Sequence, residues 1–493
     1  MLFSPAGARS STSSKALRPS GRGAFAVPAV DSIAAMSAAG LRQAQEKMKD
    51  AGVAQAAIDV FTHYYRQLEE GATGLIREDT IRPLTEVDQL SSTEVDPAAA
   101  REALSRTVVI KLNGGLGTSM GMDQAKSLLP VRDGRTFLDL IVEQVRRARA
   151  EHDVTLPLLL MNSFRTVDDT RTALARHDDL AVEGLPLDFL QNTEPKLRAD
   201  DLTPVEWPAD PSLEWCPPGH GDIYTALEAS GLLQTLLDRG YRYASVSNSD
   251  NLGAAPDATL AGWFAASGAP YAAELCRRTA ADRKGGHLAV RVSDGQLILR
   301  DTAQTAPEEM DFFTDEHRHP YFHTNNLWWD LEQLAATLAE RESVLGLPLI
   351  RNTKNVDPAD SSSPEVIQVE TAMGAAIEVF PGATAIVVGR ERFLPVKTTN
   401  DLLLIRSDVY EVGERATLDR VVERAPLVDL DPAHYKKIRD FEARFPGGAP
   451  SLREAISLTV RGEWTFGAEV TVRGAVELTE GEAGTIADGS VLE

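Results

Sequence analysis

The sequence predicts an α/β fold with a mostly parallel sheet, followed by a short β-helix at the C-terminus. An apolar, β-branched segment of strand length, Thr107–Leu112, breaks abruptly into a glycine-rich loop. Further apolar strands alternate with helical stretches through the centre of the chain, which is the pattern of βαβ units. Near the C-terminus, apolar residues recur every six positions, which is the spacing of β-helix coils.

The length and the charge of the chain limit what it can be. With 493 residues it is long enough for two or three domains. Its net charge of -23, from 73 acidic and 50 basic residues, argues against a nucleic acid or an anionic membrane as partner, because either would call for a basic surface. No run approaches the ~18 apolar residues of a membrane span. The two cysteines, Cys216 and Cys276, cannot form a disulfide framework, which favours a reducing cytoplasm.

The first residues have an unusual composition. Residues 1–30 are rich in Ser, Ala and Pro and lack acidic residues. Their basic residues are Arg9, Lys15, Arg18 and Arg22. An organelle transit peptide has this composition, and a true start at Met36 is a second alternative. We predict a disordered tail over residues 1–37, because the pattern is compositional only.

Residues 38–105 are predicted to be an N-terminal helical segment. Leu41, Ala44 and Met48 fall at the helical spacing i, i+3 and i+7. A second set repeats that spacing and comprises Ile58, Phe61, Tyr65 and Leu68. We expect these helices to cover one side of the main domain without contributing chemistry.

The loop after the first strand is the most informative segment of the chain. It reads Asn113-Gly114-Gly115-Leu116-Gly117, and Lys126 follows. Glycines let backbone N–H groups approach an anion and a lysine neutralises phosphate charge, so the segment predicts a nucleotide site. A Walker A loop needs its lysine directly after a glycine, whereas Lys126 follows an alanine. The dinucleotide fingerprint fails as well, because the glycines up to Gly121 are spaced G-x-G-x-x-x-G.

The predicted elements of the main domain place two polar segments at one edge of the sheet. After the first strand, the predicted strands are Leu156–Met161, Arg242–Ser247, Tyr271–Arg277 and Thr384–Val388, with a hairpin turn at Asp294-Gly295. The predicted helices between them include Phe137–Ala150 and Ile223–Asp238. Ligands of parallel sheets bind at the carboxyl ends of the strands, where Asn113 and Asp250 both lie.

The C-terminal region changes to a period of six. The two series are Val460, Phe466, Val472, Leu478 and Trp464, Val470, Val476, and Ile486 to Leu492 resumes the step. Hexads are typical of a β-helix, and an ordinary β-meander is the alternative. Some β-helices carry an acyltransferase site, but these hexads are too few for one. We therefore expect the region to serve packing or to form a homo-oligomer.

Several segments resemble the family of eukaryotic-type UTP–glucose-1-phosphate uridylyltransferases, and they occur in the family's order. The loop resembles its signature L-N-G-G-L-G-T-S-M-G, Trp215–Asp222 resembles W-x-P-P-G-H-G-D, and Ser247–Gly253 resembles S-N-x-D-N-L-G. Further matches are Lys284–Gly286, Thr324–Trp328, Val366–Ile377 and Phe393–Thr399. The resemblance implies a Rossmann-like, GT-A-like nucleotidyltransferase catalytic domain over residues 106–410 and a small left-handed β-helix domain over residues 411–493.

Two details of the loop bear on the substrate. Related UDP-N-acetylhexosamine pyrophosphorylases usually carry an arginine after the loop threonine, and Ser119-Met120 in this chain favours the glucose branch. The family's commoner text C-K-G-P-K is replaced by M-D-Q-A-K over residues 122–126. Lys126 is thus kept, while the approach to it differs.

The resemblance assigns a role to each matching residue. UTP binding is implied for Leu112, Asn113, Gly114, Gly115, Lys126, Gln191, Gly219, Asp250 and Lys397. Sugar-phosphate binding is implied for Gly114, Gly115, His220, Asn248, Ser249, Asp250 and Asn325. Gln191 and Gly219 would read uracil, Asp250 would ligate Mg²⁺, and Lys397 would be the catalytic residue.

The chemistry of the reaction agrees with this set of residues. A sugar 1-phosphate is an ionised nucleophile at pH 7, so its attack on the α-phosphorus of UTP needs no general base. One carboxylate holding Mg²⁺ and a few lysines can neutralise the reacting anions. We therefore expect UDP-glucose and pyrophosphate to be made from UTP and α-D-glucose 1-phosphate. The alternatives are galactose 1-phosphate or N-acetylglucosamine 1-phosphate as substrate, and a catalytically silent nucleotide-sugar sensor.

Overall fold

The computed structural model describes residues 30–72, 74–279, 282–283, 285–479 and 484–493, with side chains from Ala39 onward. The α-helices are α1 Val30–Asp50, α2 Gln55–Glu69, α3 Pro97–Ser105, α4 Phe137–His152, α5 Val167–Leu174, α6 Ile223–Ala229, α7 Leu232–Asp238, α8 Ala258–Ser267, α9 Met310–Phe313, α10 Leu331–Glu340, α11 Thr399–Arg406, α12 Pro432–Tyr435 and α13 Ile438–Arg444.

Strands occur along the whole chain after α2. They are β1 Ile81–Pro83, β2 Asp88–Gln89, β3 Thr107–Leu112, β4 Pro130–Arg132, β5 Arg135–Thr136, β6 Leu158–Asn162, β7 Asp188–Leu190, β8 Glu194–Pro195, β9 Leu197–Arg198, β10 Trp215–Cys216, β11 Tyr243–Asn248, β12 Tyr271–Arg277, β13 His287–Arg291, β14 Leu297–Arg300, β15 Tyr321–Asp330, β16 Ile350–Asn355, β17 Glu365–Glu370, β18 Thr384–Val387, β19 Tyr410–Val412, β20 Leu418–Arg420, β21 Leu427–Leu430, β22 Ser451–Val460, β23 Trp464–Phe466, β24 Thr471–Leu478, β25 Gly484–Ile486 and β26 Val491–Leu492.

The N-terminal segment differs from the prediction in two ways. Residues 1–29 of the predicted tail lie outside the described residues, but residues 30–37 belong to helix α1, so the helical segment begins earlier than residue 38. The segment up to residue 105 also contributes two short strands. Strand β1 pairs with β13, and β2 extends the main sheet beside β18. The segment is therefore part of the main fold as well as a cover for it.

An eight-stranded sheet, the central sheet, organises the fold in the order β2-β18-β12-β15-β11-β3-β6-β7. Strand β15 is antiparallel to β11 and β12, whereas the other pairs are parallel, which confirms the predicted mostly parallel sheet. Val109 and Leu160 face one apolar core, and Ile110 and Leu159 face another on the opposite side. Burial on both faces explains why these strands are continuous apolar runs in the sequence.

Most predicted elements of the main domain are found. The strands at residues 107–112 and 271–277 match to the residue, and the hairpin at Asp294-Gly295 joins β13 to β14. Helix α4 begins at a capping box formed by Thr136 and Asp139. The single helix predicted over residues 223–238 is wrong, because Gly231 adopts a φ of 71° and separates α6 from α7.

The C-terminal strands β21–β26 stack as parallel coils, called here the C-terminal coils. One parallel sheet has the order β21-β22-β24-β26, and β23 pairs with β25 in a second. An ordinary meander would pair neighbouring strands antiparallel, so that alternative is excluded. Leu458 pairs with Val476, so this coil advances the chain by 18 residues, which is three hexads. The hexad residues Val460, Phe466 and Val472 are fully buried between the sheets.

The core of the C-terminal coils is continuous with the core under the central sheet. Val460 and Phe466 belong to the same cluster of contacting buried residues as Phe137 of α4 and Leu402 of α11. Across the described residues, none of the helices combines the length and apolar character needed to cross a membrane.

Candidate active site

A cavity of about 410 Å³ opens at the carboxyl ends of the central strands. The predicted site residues that line it are His220, Asn248, Asp250, Asn325 and Lys397. They come from four separate segments of the chain, of which the one with Asn248 and Asp250 lies at the carboxyl end of the parallel strand β11.

The glycine-rich loop is fixed by hydrogen bonds of a buried side chain, while one of its glycines has free space beside it. Asn113 is 2% exposed, and its Nδ2 donates to Asn162 Oδ1 at 2.7 Å and to Thr170 Oγ1 at 2.9 Å. A Cβ atom at Gly114 would lie 2.4 Å from Gln191 Oε1, whereas one at Gly115 would meet no atom within 4 Å. The side chain of Asn113 therefore fixes the loop, and the backbone of the two glycines is left for a ligand.

Lys126 links the loop to two other segments of the site. Its Nζ lies 2.5 Å from Asp250 Oδ2 and also donates to the backbone oxygen of Val396, the residue before Lys397. Asp250 does not cap the next helix, α8, which is capped by Asp257. Lys126, Asp250 and Lys397 thus converge at one place, as the resemblance implies.

Lys397 is held by its backbone and exposed through its side chain. Its N–H and that of Thr398 donate to Asp401 Oδ2 at 2.9 and 2.8 Å, where a capping box begins α11. The residue is exposed and lines the cavity. An ammonium group on a fixed backbone can reach a phosphate in the cavity.

The loop that contains His220 is locked to the segment after β17. Thr371 N donates to Pro218 O at 3.0 Å, and a Cβ at Gly219, whose φ is 79°, would lie 2.6 Å from Thr371 O. His220 Nδ1 accepts from Met373 N at 3.0 Å. Although the ring is exposed on the cavity side, loss of water on its other sides lowers the pKa of His220 to about 4. The ring is therefore neutral, with Nε2–H as a donor.

Asn248 and Asn325 lie side by side at the wall of the cavity. Asn325 Nδ2 donates to Asn248 Oδ1 at 3.0 Å. Asn325 has a φ of 63°, and the pairing of β12 with β15 shifts register beside it. Such a bulge re-aims a side chain, which explains how a residue inside a strand reaches the cavity.

Ser249 and Gln191 differ from the other predicted site residues. Ser249 is 6% exposed, and its N–H donates to Leu112 O at 3.1 Å, so it joins two strand ends rather than facing the cavity. Gln191 lies on the other side of Gly114, in a neighbouring groove beside Asp188. Gln191, predicted to bind uracil, and the residues predicted to bind the sugar phosphate therefore line two different cavities.

Sequence reasoning missed two groups of buried charged residues around the site. Asp222 accepts from the backbone N–H and the Nδ2 of Asn192 at 2.6 and 2.8 Å, beside Gln191, and burial raises its pKa to about 7. Glu274 and Arg392 form a buried ion pair under the cavity. A charged residue in the middle of an apolar strand, as Glu274 is in Y-A-A-E-L-C-R, is the signal that could have found this pair.

Asp250 is suited to hold a magnesium ion together with the phosphates of a bound substrate. Within the ranges that the structure describes, no cluster of three or more His, Cys, Asp or Glu residues could enclose a metal. Mg²⁺ is commonly held by one or two carboxylates together with substrate phosphates and water. The single carboxylate of Asp250, which lines the cavity and is paired with Lys126, fits that mode.

Comparisons with known proteins identify the family of the chain. The family model described as UTP--glucose-1-phosphate uridylyltransferase matches residues 58–473. The UTP--glucose-1-phosphate uridylyltransferase of Saccharomyces cerevisiae is 41% identical over 79% of this chain and 77% of its own, and that of Hordeum vulgare is 38% identical over 92% and 95%.

A solved structure of a related protein has the same overall fold as this chain. A variant of UDP-glucose pyrophosphorylase from Leishmania major, in complex with UDP-glucose, superposes with a TM-score of 0.86 at 43% identity. The match covers 92% of this chain and 98% of the other. Over nearly its whole described length, the chain belongs to the UTP–glucose-1-phosphate uridylyltransferase family.

Proposed function

We propose that the chain makes UDP-glucose and pyrophosphate from UTP and α-D-glucose 1-phosphate. The observation that carries the proposal is that Asp250 and Lys397 line one cavity, while Lys126 contacts both Asp250 and the residue before Lys397. Two cations and one carboxylate are the groups needed to bring two phosphate-bearing anions together.

The nucleotide would bind along the glycine-rich loop. The open backbone at Gly115 supports contact with phosphate oxygens, and Lys126 would exchange its bond to Asp250 for one to phosphate. The amide of Gln191 and the backbone of Gly219 would read uracil. Gln191 lies directly against Gly114. This proximity supports a bound UTP whose uracil contacts Gln191 while its phosphates contact the glycine-rich loop.

The sugar phosphate would bind in the cavity. His220, with Nδ1 already accepting from a backbone N–H, would donate from Nε2 to a phosphate or hydroxyl oxygen. Asn248 and Asn325 would hold sugar hydroxyls, since their side chains meet at the cavity wall.

The displacement would proceed without a general base. A phosphate oxygen of the sugar phosphate forms a bond to the α-phosphorus of UTP, while the bond from that phosphorus to the bridging oxygen breaks and pyrophosphate leaves with the electron pair. Lys397 would neutralise the charge that develops on the phosphoryl oxygens. Mg²⁺, held by Asp250, would supply Lewis-acid charge at the phosphates. His220 would remain neutral and serve as a donor only.

Pyrophosphate release tests the proposal and its alternatives. We expect kcat/KM to be highest with UTP and glucose 1-phosphate. Galactose 1-phosphate and N-acetylglucosamine 1-phosphate serve as competitors in the panel. A higher kcat/KM for either of them would assign a different sugar. Tight binding of UDP-glucose without pyrophosphate release from any pair would show that the chain is a sensor.

For the C-terminal domain, residues 411–493, we propose a left-handed β-helix that mediates self-association. The parallel pairing of the coils and their hexad core support the β-helix. Leu427 and Ile456 are 69% and 70% exposed, although both are large apolar residues. An exposed apolar sheet face supports contact with a second copy.

Light scattering tests the assembly. We expect the double variant Leu427→Asp/Ile456→Asp to have a lower mass than the wild type, because the charges would have to be buried at the interface. Val292→Asp, at a 61% exposed position on the β13–β14 hairpin, is the matched control and should leave the mass unchanged. Equal masses for the wild type and the double variant would contradict self-association through this face.

We further propose a cytoplasmic location and a catalytic domain that spans residues 106–410. Both cysteines are free and buried, which supports a reducing compartment. The central sheet is complete within residues 106–410 except for β2, which supports the domain boundaries.

A further inference from the structure

We infer that Glu274 is a positioning residue for the proposed reaction. From inside the central sheet, its carboxylate fixes the distance between Asp250 and Lys397, which lie on separate segments of the chain. The inference rests on the proposed function, in which those two residues act on the same reacting centre.

The carboxylate of Glu274 is fully buried and fully hydrogen-bonded. It lies on β12 and is 1% exposed. Arg392 donates to both oxygens, from Nε and Nη2, at 2.8 Å each. Trp328 Nε1 donates to Oε1 at 3.0 Å, and Asn326 Nδ2 donates to Oε2 at 3.1 Å. Burial favours the neutral acid, yet Arg392 and the other donors hold the pKa of Glu274 below its usual value, so the group is ionised.

Arg392 connects Glu274 to the turn that follows Asp250. Its Nη1 donates to Ala255 O at 3.0 Å. The neighbouring carbonyl, Ala254 O, accepts from Lys111 Nζ at 2.7 Å, and Lys111 is itself 1% exposed. Two buried basic side chains thus bind consecutive carbonyl groups, and one of them, Arg392, is held in place by Glu274.

Asn251 connects Arg392 and the turn after Asp250 to the segment that ends at Lys397. Its Nδ2 donates to Asn326 Oδ1 at 3.0 Å and to Arg392 O at 3.1 Å, while its Oδ1 accepts from Leu394 N at 2.8 Å. Val396 N then donates to Asp250 O at 3.3 Å. These bonds, of 2.8 to 3.3 Å, join buried or partly buried groups, so a shift of one segment requires a shift of the other.

A purely stabilising role explains this arrangement less well. A buried ion pair contributes little net stability compared with apolar residues of the same volume, because both charges lose their hydration. What the pair does supply is a unique geometry, since four directional bonds fix one carboxylate. The segments it fixes carry Asp250 and Lys397.

The test compares Glu274→Gln with Asp330→Asn. Asp330 is a buried carboxylate at the end of β15 that pairs with Arg242 at 3.0 Å, but it lies beside Tyr243 at the start of β11, at the opposite end of the strands from Asp250. We expect Glu274→Gln to lower kcat by about 10²-fold, because a displacement of about 1 Å at the reacting centre costs that much. The dissociation constant for UTP should change by less than about 3-fold, since Asn113 of the glycine loop is anchored by Asn162 and Thr170, which take no part in this series of bonds. Asp330→Asn should lower the melting temperature with kcat within about 3-fold of wild type.

The outcomes are separable. All assays are run on full-length protein well below the melting temperature of each variant. If Glu274→Gln does not fold, Arg392→Lys decides, because it keeps the charge but loses the two-bond grip, and the same kcat loss with near-normal UTP binding is expected. A folded variant with unchanged kcat, or equal losses in Asp330→Asn, would overturn the positioning role. Wild-type protein that releases no pyrophosphate would instead overturn the proposed function, and this inference with it.

Discussion

Replacing Lys397 by alanine is expected to lower kcat by ~10²-fold or more with little change in the affinity for UTP. The side chain is exposed in the cavity, and the backbone bonds of Lys397 and Thr398 to Asp401 do not depend on it. The fold should therefore be unaffected. The variant loses the stabilisation of the charge that develops on the phosphates during displacement. The bound ground-state complex does not yet carry that charge, so UTP affinity should change little. Steady-state kinetics together with a UTP titration separate the two effects.

Two further variants sharpen this experiment. Lys49→Ala removes an equally exposed ammonium from helix α1, far from the cavity in sequence, and should leave kcat unchanged. Lys397→Arg keeps the charge with a different reach and should recover part of the rate. A near-normal turnover in Lys397→Ala would disprove the catalytic assignment.

Asp250→Asn is expected to impair turnover severely at all concentrations of Mg²⁺. In wild-type protein, a chelator should abolish activity and added Mg²⁺ should restore it. The amide keeps the size of the side chain but cannot neutralise a cation. We expect a loss of ~10²-fold or more in kcat, measured across a magnesium titration.

The control for Asp250 is a carboxylate whose role is structural. Asp96 caps α3 by accepting from Ala98 N and Ala99 N. Because Asn is an equally good cap, Asp96→Asn should be close to neutral in stability and in turnover. Full recovery of Asp250→Asn by excess Mg²⁺ would show that the carboxylate does not ligate the metal.

The parts of the fold that could be predicted are those set by local sequence. The strand Thr107–Leu112 is buried on both faces, so its apolar run has one interpretation. The hairpin at Asp294-Gly295 is a strong turn signal because the glycine adopts a positive φ of 76°. The hexads predict stacked coils, because each coil must repeat the apolar spacing of the coil on which it packs.

The parts that could not be predicted depend on distant partners. Strand β15 enters the sheet antiparallel between β11 and β12, and nothing in its own residues specifies that neighbour. The break at Gly231 is a second example. A single glycine inside a helical pattern costs only about 1 kcal/mol, so tertiary packing decides whether the helix continues.

The site divides in the same way. Asp250 and the glycine loop could be placed together from the strand-end rule alone, and the ion pair to Lys126 agrees with that placement. The resemblance was needed for His220 and Asn325. Asn325 faces the cavity only because of a bulge, and His220 depends on a backbone contact with Met373, 153 residues away. The roles of these residues in binding stay predictions.

The shared core of the C-terminal coils and the nucleotide half has a consequence for cooperativity. Phe466 and Val472 are buried in the same cluster as Phe137 and Leu402, so the two halves are coupled in unfolding. A ligand that binds at the glycine-rich loop raises the free energy of unfolding of the last coils as well, although it touches none of them. Damage to a coil correspondingly shortens the lifetime of the folded catalytic half, and a heat scan of the whole chain should give one transition.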